Sequence, residues 1–285
     1  MEIKLRPGTA KDAVACGTIA YEAFTTISGA HGFPPDFPSP DIAIGLLTWM
    51  LSHPQFYSVV AEADGRIVGS NFLDERNPIA GVGPITVDPQ VQNSAVGRRL
   101  MENVDARAVQ KNFAGVRLVQ AAYHNRSLSL YTKLGYDVRE PLACLQGPAF
   151  NIAVPGCNVR TGSASDLDAC NALCERTHGH NRAGELRDMI ERGAATVVER
   201  DGRISGYATV IGFFGHAVGE TNRDLQALIG AAKEFAGPGF LLPMRNSELF
   251  RWCLQQGARV AQTMTLMTKG TYREPSGAFL PSILY

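Results

Sequence analysis

The sequence has no net charge to offer: Lys+Arg 27 is balanced by Asp+Glu 27. A whole-protein electrostatic grip on nucleic acid or on an anionic membrane is therefore not expected. It also lacks the run of about 18–20 apolar residues that a membrane span needs. Its start, MEIKLRPGTAKDA, lacks the basic-then-apolar layout of a secretory leader. The six cysteines (Cys16, Cys144, Cys157, Cys170, Cys174, Cys253) include no CxxC pair. Cys170 and Cys174 sit four apart on an expected helix, but no His or second Cys pair completes a zinc pattern. They read as reduced thiols, so no metal is expected and the expected location is the cytoplasm. What is present is globular: 45% hydrophobic and 19% charged residues, with 29 Gly and 16 Pro, which excludes a disordered chain, a collagen and a coiled coil. At 285 residues the chain exceeds one ordinary domain of roughly 100–200 residues.

The extra length is an internal repeat. LRPGTAKDAVAC (Leu5 to Cys16) aligns with VRTGSASDLDAC (Val159 to Cys170) at an offset of 154. EADGRIVG (Glu62 to Gly69) aligns with ERDGRISG (Glu199 to Gly206) at 137, and LGYDV (Leu134 to Val138) with QGARV (Gln256 to Val260) at 122. The order is kept, as duplication requires. The second copy thus loses 154 − 137 = 17 residues before its hairpin and 137 − 122 = 15 after it. The first loss fits the Pro-rich segment HGFPPDFPSP (His31 to Pro40), which the second copy lacks.

Pattern predicts the elements of the first copy. IKLR is a short strand and Asp12 to Phe24 a helix, followed by a second helix over Ile42 to Leu51. FYSVVAEADGRIVGSNFL is a hairpin turning at Asp64-Gly65. Ile79 to Val87 is a buried strand, Ser94 to Gln110 a helix with Val96, Leu100, Val104 and Ala108 at helical spacing, and VRLVQAAY another strand. Ser127 to Leu134 is a short helix stopped by Gly135. The second copy repeats a shorter version, and the apolar tail EPSGAFLPSILY is expected to pack on a domain.

The informative run is ITVDPQVQNSAVGRRLMENV. A strand passes through the short loop Gln92 to Gly97 directly into a helix. Such a junction presents unpaired backbone N–H groups at the positive end of the helix dipole. Small residues let a phosphate come close, and Arg98 and Arg99 add positive charge. The residues alone leave two readings open, an anion-binding helix start and an ordinary strand-to-helix turn.

The run resembles the acetyl-CoA loop of the GCN5-related N-acetyltransferases (GNAT), whose pattern is Q/R-x-x-G-x-G/A with Leu three residues on. Gln92, Ala95, Gly97 and Leu100 stand in those places. Ala95 replaces the first glycine, a change that tolerates close approach if its φ is negative. HNRSLSLYTKLGYDV resembles the family's second signature through Leu130, Tyr131, Lys133, Leu134, Gly135 and Tyr136, with His124 where Asn is usual and Asn125 beside it. The resemblance covers roughly residues 1–146. It implies an α/β (α+β) fold of two tandem GNAT-like acyl-CoA N-acyltransferase domains, each a mixed, mostly antiparallel twisted sheet flanked by helices. Residues 1–147 would be the catalytic domain with the acetyl-CoA site, 148–156 a linker, and 157–285 a degenerate domain, acceptor-shaping or structural.

The resemblance also implies site roles. Strands Ile79–Val87 and Val116–Tyr123 would splay, with pantetheine pairing near Ile85 and Val87. The loop of Gln92, Asn93, Ser94, Ala95, Val96, Gly97, Arg98 and Arg99 would hold the pyrophosphate, with Asn125 and Tyr131 also at the cofactor. An amine would attack the thioester directly, and Tyr131 would protonate the leaving thiolate. Glu75, Asp74 and His124 are the base candidates. Phe33, Phe37 and Trp49, with Tyr57, would line a partly apolar acceptor pocket or pack between the halves. In the second copy no phosphate loop appears, Cys253 takes the place of Tyr131, and His216, Glu220 and Glu185 are either substrate contacts or ordinary turn residues. The expected activity is acetyl-CoA dependent transfer to a small-molecule amine, by a monomer or homodimer with no nucleic-acid or membrane partner. The alternatives are a non-catalytic acyl-CoA-binding regulatory module, or a tandem enzyme acting on a protein or peptide amine.

Overall fold

The computed structural model describes residues 2–91 and 95–285. The first copy runs β1 (Lys4–Pro7), α1 (Ala13–Ala30), α2 (Pro40–Ser52), β2 (Phe56–Ala63), β3 (Arg66–Asp74), β4 (Ile79–Val82), β5 (Thr86–Val87), α3 (Val96–Gln110), β6 (Gly115–Ala121), α4 (Asn125–Lys133) and β7 (Asp137–Gln146). The second runs β8 (Asn158–Thr161), α5 (Leu167–His178), α6 (Ala183–Glu191), β9 (Thr196–Arg200), β10 (Arg203–Ala208), β11 (Ala217–Gly219), α7 (Asn222–Ala231), β12 (Phe240–Pro243), α8 (Ser247–Gln255), β13 (Arg259–Gly270) and β14 (Ala278–Leu280).

The repeat is visible in matching physics. In each copy an Arg on the first strand grips an Asp that caps the following turn and a Glu on the next strand. Arg6 does this with Asp12 (2.8 Å) and Glu62 (2.8 Å), and Arg160 with Asp166 (2.7 Å) and Glu199 (2.7 Å). Both hairpins turn on two left-handed residues, Asp64-Gly65 (φ 49° and 77°) and Asp201-Gly202 (φ 55° and 74°), the geometry that suits two-residue hairpins. His124 and Asn246, 122 residues apart, cap α4 and α8 by accepting from Ser127 N and Leu249 N.

The copies exchange their long strands. One sheet has nine strands in the order β1-β2-β3-β4-β6-β13-β7-β12, with β5 on β3; the other runs β14-β11-β10-β9-β8. So β13 of the second copy lies between β6 and β7 of the first, antiparallel to both. β7 in turn carries β12 on its far edge.

On one face of the larger sheet, α1 and α2 bury Cys16, Ala20, Leu47 and Met50 against Val60 and Phe72. The two helices meet at Gly17, where a Cβ would lie 2.5 Å from the Ile44 Cα, so only glycine allows the crossing. On the other face α3 sets Leu100, Met101 and Val104 against Val59, Val68 and Leu118. The tail packs as expected: β14 pairs with β11, Leu284 joins the α1–α2 core, and the Tyr285 ring lies 4.0 Å from the Arg117 guanidinium.

Two sequence expectations change here. The single strand Ile79 to Val87 is broken. Gly83, at φ 135°, leaves the extended region, and Pro84 has no N–H for a ladder, so the run splits into β4 and β5. The first helix also continues to Ala30 rather than Phe24.

The Arg–Asp–Glu clamps carry a prediction. Hydrogen bonds from Arg6 and Arg160 hold Asp12 and Asp166 well below the usual carboxylate range. A depressed folded-state pKa contributes stability above the unfolded value near 4, and loses it as pH falls toward the folded value. Asp166→Asn is expected to destabilise by about 1–2 kcal/mol at neutral pH, as loss of a cap and a charged bond does. The deficit should shrink on acidification below about pH 4. Urea melts of both proteins at neutral and acid pH check this, and a pH-independent deficit contradicts it.

Candidate active site

The break after β4 determines the shape of the site. β4 runs parallel to β6 through Ile79↔Gly115, Ala80↔Val116 and Gly81↔Arg117. Beyond it, Thr86 and Val87 pair only with Ser70 and Gly69 of β3. The distal residues of β6, Leu118 to Ala121, pair on their other side with β13 and take no partner from β5. A wedge therefore opens between β5 and β6. Ile85 and Val87 are half-buried at its wall.

At the mouth of the wedge α3 begins. Gln92, Asn93 and Ser94 lie outside the described residues. Ala95 is the helix N-cap with φ 61°, ψ 6°, a left-handed conformation rather than the negative φ that the sequence reading required. The place of the family glycine thus keeps a glycine-like backbone at a penalty of about 1 kcal/mol for the methyl group. Val96 is buried in the core. A Cβ on Gly97 would meet only ordinary contacts at 3.7 Å with Leu130 and Val87, so the protein itself does not demand glycine there. Arg98 pairs with Glu102 at 3.5 Å, and Arg99 donates to the Ile3 carbonyl at 2.6 Å. Among the described residues no side chain caps α3, and its first turn holds no acid.

The corresponding helix of the second copy is built differently. Thr221 caps α7, and the Asp224 carboxylate accepts from Thr221 N and Oγ1 (both 2.9 Å) and from Ser205 Oγ (2.6 Å). An acid fills that helix start. The edge of β11 carries β14, where the first copy has β4 against β6.

The proposed catalytic side chains are dispersed. Tyr131 on α4 is 7% exposed in the α3 core, and burial raises its pKa well above that of free tyrosine. Its ring lies 6.3 Å from Tyr136, and its hydroxyl bonds to no described residue. His124 is half-buried and uses Nδ1 to accept from Ser127 N at 3.3 Å; burial, then Arg126, lowers its pKa, so the ring is neutral. Asn125 is exposed at the start of α4. Both oxygens of Glu75 are bound by Arg107 of α3, at 2.6 and 3.0 Å, so neither takes a proton without disturbing that pair. Asp74 is held by Arg76 at 2.6 Å.

The aromatic candidates separate as well. Phe33 stacks on Tyr123 at 4.4 Å and 11°. Phe37 is buried edge-on to Phe24 at 5.8 Å. Trp49 packs on Phe56, with the guanidinium groups of Arg76 at 5.6 Å and Arg192 at 4.9 Å on its ring, and so lies where the copies meet. Tyr57 faces α3, bonding Asn103 under Arg107. Cys253 is fully buried. His216 and Glu185 lie 3.1 Å apart in a buried network with Arg182, while Glu220 pairs with Arg200 and Arg203.

Sequence reasoning missed Asp36. It lies in the segment between α1 and α2, accepts from Gln262 Nε2 of β13 at 3.1 Å, and burial raises its pKa. It also helps push the Tyr123 hydroxyl up to about 12, after burial. A lone acid in a Pro-rich loop gave no signal, because its partner is 226 residues away.

Comparison with known proteins agrees with this geometry. Residues 21–136 match the profile of the Acetyltransferase (GNAT) family. A putative acetyltransferase from Pyrococcus horikoshii is 15% identical, with TM-score 0.73 over 96% of this chain and 91% of its own. A GCN5-related N-acetyltransferase from Sphaerobacter thermophilus is 17% identical, with TM-score 0.60 over 95% and 96%. A tandem GNAT protein from the clavulanic acid biosynthesis pathway is 15% identical, with TM-score 0.57 over 94% and 98%. A search of curated proteins found no match. Residues 21–136 thus form a domain of the GNAT acetyltransferase family. The whole chain has the mixed, mostly antiparallel fold of tandem GNAT proteins.

The left-handed Ala95 can be tested directly. Ala95→Gly is expected to raise stability by on the order of 0.5 kcal/mol, relief of the methyl strain being partly offset by unfolded-state entropy. A thermal melt that falls by that amount contradicts the assignment.

Proposed function

We propose that the chain is an acetyl-CoA dependent N-acetyltransferase that acylates the amine of a small molecule, with its cofactor held by the first copy alone. The observation that carries this reading is the contrast between the two helix starts beside the two sheets. In the first copy α3 has no acid in its first turn, a spare glycine at Gly97 and an open wedge behind it. In the second copy Asp224 fills the helix start and β14 lies along β11. A helix N-terminus with small residues and an arginine suits a pyrophosphate. The family profile spans the first copy, and the family's general chemistry is acyl-CoA dependent N-acetyl transfer.

In this reading residues 1–147 form the catalytic unit, 148–156 the linker and 157–285 a degenerate unit that shapes the acceptor side. Gln92 to Arg99 bind the pyrophosphate, and Ile85 and Val87 pair with the pantetheine arm. Asn125 lies beside the arm. The amine attacks the thioester carbon, the C–N bond forms, the C–S bond breaks, and Tyr131 protonates the thiolate. A buried phenol with no hydrogen-bond partner among the described residues suits donation to a thiolate arriving in the wedge. His124, its Nδ1 occupied, helps order the start of α4, and Glu75 holds β3 to α3 through Arg107. Phe33, Phe37 and Trp49 stiffen the acceptor side of the first copy.

Gly97→Glu is expected to weaken acetyl-CoA binding at least tenfold by calorimetry, because a carboxylate at the helix start repels phosphate. Unchanged affinity rejects the loop assignment. Tyr131→Phe is expected to lower kcat by about a hundredfold while sparing acetyl-CoA affinity. Unchanged thiol release in the presence of an amine panel removes the acid role. Tight acetyl-CoA binding with no turnover of any amine favours a regulatory acyl-CoA-binding module instead.

A further inference from the structure

We infer that Asp36 and Gln262 form the seat of the acceptor's primary ammonium, and that the Asp36 carboxylate takes the proton this ammonium must lose before attack. The inference rests on the reading above and names the group that binds the acceptor.

The geometry is specific. Asp36 Oδ1 accepts from Gln262 Nε2 at 3.1 Å, which fixes the orientation of the amide, since a carboxylate oxygen has no hydrogen to offer. Gln262 is 3% exposed, and its Oε1 is buried without a hydrogen-bond partner among the described residues. A buried acceptor left unmatched is costly unless a ligand supplies the donor. Among the described residues no Lys, Arg or His forms an ion pair with Asp36, so its charge is also unmatched. The groups around it are Gln262, Tyr123 and Cys144, the last two with their pKa values raised by burial and by Asp36. Beside them Phe33 stacks on Tyr123, with the His31 ring 5.2 Å from the same tyrosine.

The seat thus has a carboxylate, a free amide oxygen and an aromatic wall. It lacks a cation and several N–H donors. A primary ammonium supplies both, with three N–H groups and one positive charge, and an adjacent apolar body would rest on the Phe33–Tyr123 stack. Asp36 is only partly buried, so the seat is reachable from solvent. It lies on the loop that the second copy lacks, near Tyr123, two residues past the end of the β6 wall. In the reaction R–NH₃⁺ passes one proton to the Asp36 carboxylate, and the nitrogen lone pair forms the C–N bond. The C–S bond electrons leave with the thiolate, which takes its proton from Tyr131, and the second proton lost by the adduct's nitrogen restores the Tyr131 hydroxyl. A carboxylate whose pKa is raised by burial is a better base near neutral pH than a free aspartate.

The test uses the full-length protein and benzylammonium as probe. Wild type is expected to bind benzylammonium by calorimetry and to acetylate benzylamine. Asp36→Asn keeps the bond from Gln262, because Asn Oδ1 accepts equally well, so a purely structural role predicts no change. We expect at least tenfold weaker benzylammonium binding and a kcat lower by about a hundredfold, with acetyl-CoA affinity intact. Gln262→Met is expected to weaken benzylammonium binding severalfold and guards against misfolding of the first variant. Benzylammonium binding and turnover equal to wild type in Asp36→Asn, or no benzylammonium binding by wild type, overturns the proposal. Failure of wild type to bind acetyl-CoA rejects the acetyltransferase reading instead, and the benzylammonium comparison still decides the seat.

Discussion

The structure depends on one unpaired strand edge. A sheet satisfies its backbone groups by pairing, and an edge left open in the interior must be covered, filled or made useful. After Gly81 the chain turns away at Gly83-Pro84 and pairs its next strand with β3 alone. The distal half of β6 is left with β13 on one side and nothing from β5 on the other. Everything proposed for the first copy, from the strand-paired arm to the helix start at its mouth, follows from that divergence. In the second copy the corresponding edge of β11 is covered by β14, part of the apolar tail. One fold has solved one problem twice, once with a gap and once with its own chain.

The same contrast shows which features of a duplicated fold persist. The parts that stabilise are kept almost atom for atom: the Arg–Asp–Glu clamp, the left-handed hairpin pair and the side-chain cap on the last helix. Each acts locally, so each survives independently of any ligand. The first turn of the central helix has not been kept. An acid there accepts from the backbone N–H of Thr221, the α7 cap residue, whereas the first turn of α3 has no acid. A carboxylate held at a helix start repels an incoming phosphate, so the two do not share one site.

Much of this was legible in the residues, and the limits have physical causes. Asp64-Gly65 announced its hairpin because two positive φ angles need such a pair, and the spacing of Val96, Leu100, Val104 and Ala108 announced the buried face of α3. These signals are local. The break at Gly83-Pro84 was also written in the sequence, but an apolar run on both sides masked it as one strand. The left-handed φ of Ala95 was not legible, since alanine does not advertise it. Glu75 read as a free acid at a strand end because its arginine is 32 residues away on another element. Strand exchange was beyond any local pattern: β7 and β13 have the same character, and only tertiary packing decides that β13 lies beside β6.

That exchange answers why a copy without a phosphate loop would be retained. β13 is not an ornament on the first copy; it pairs with β6 over seven positions, from Met264↔Ala121 to Gly270↔Gly115. Without it, the wall of the wedge would have two bare edges instead of one. The same strand brings Gln262 to Asp36, so a residue of the second copy holds an acid on the loop of the first. Trp49 extends the dependence, its ring lying beside Arg192 of the second copy and Arg76 of the first. In the proposed reading the missing phosphate loop leaves the first copy's site intact, whereas loss of β13 would dismantle it.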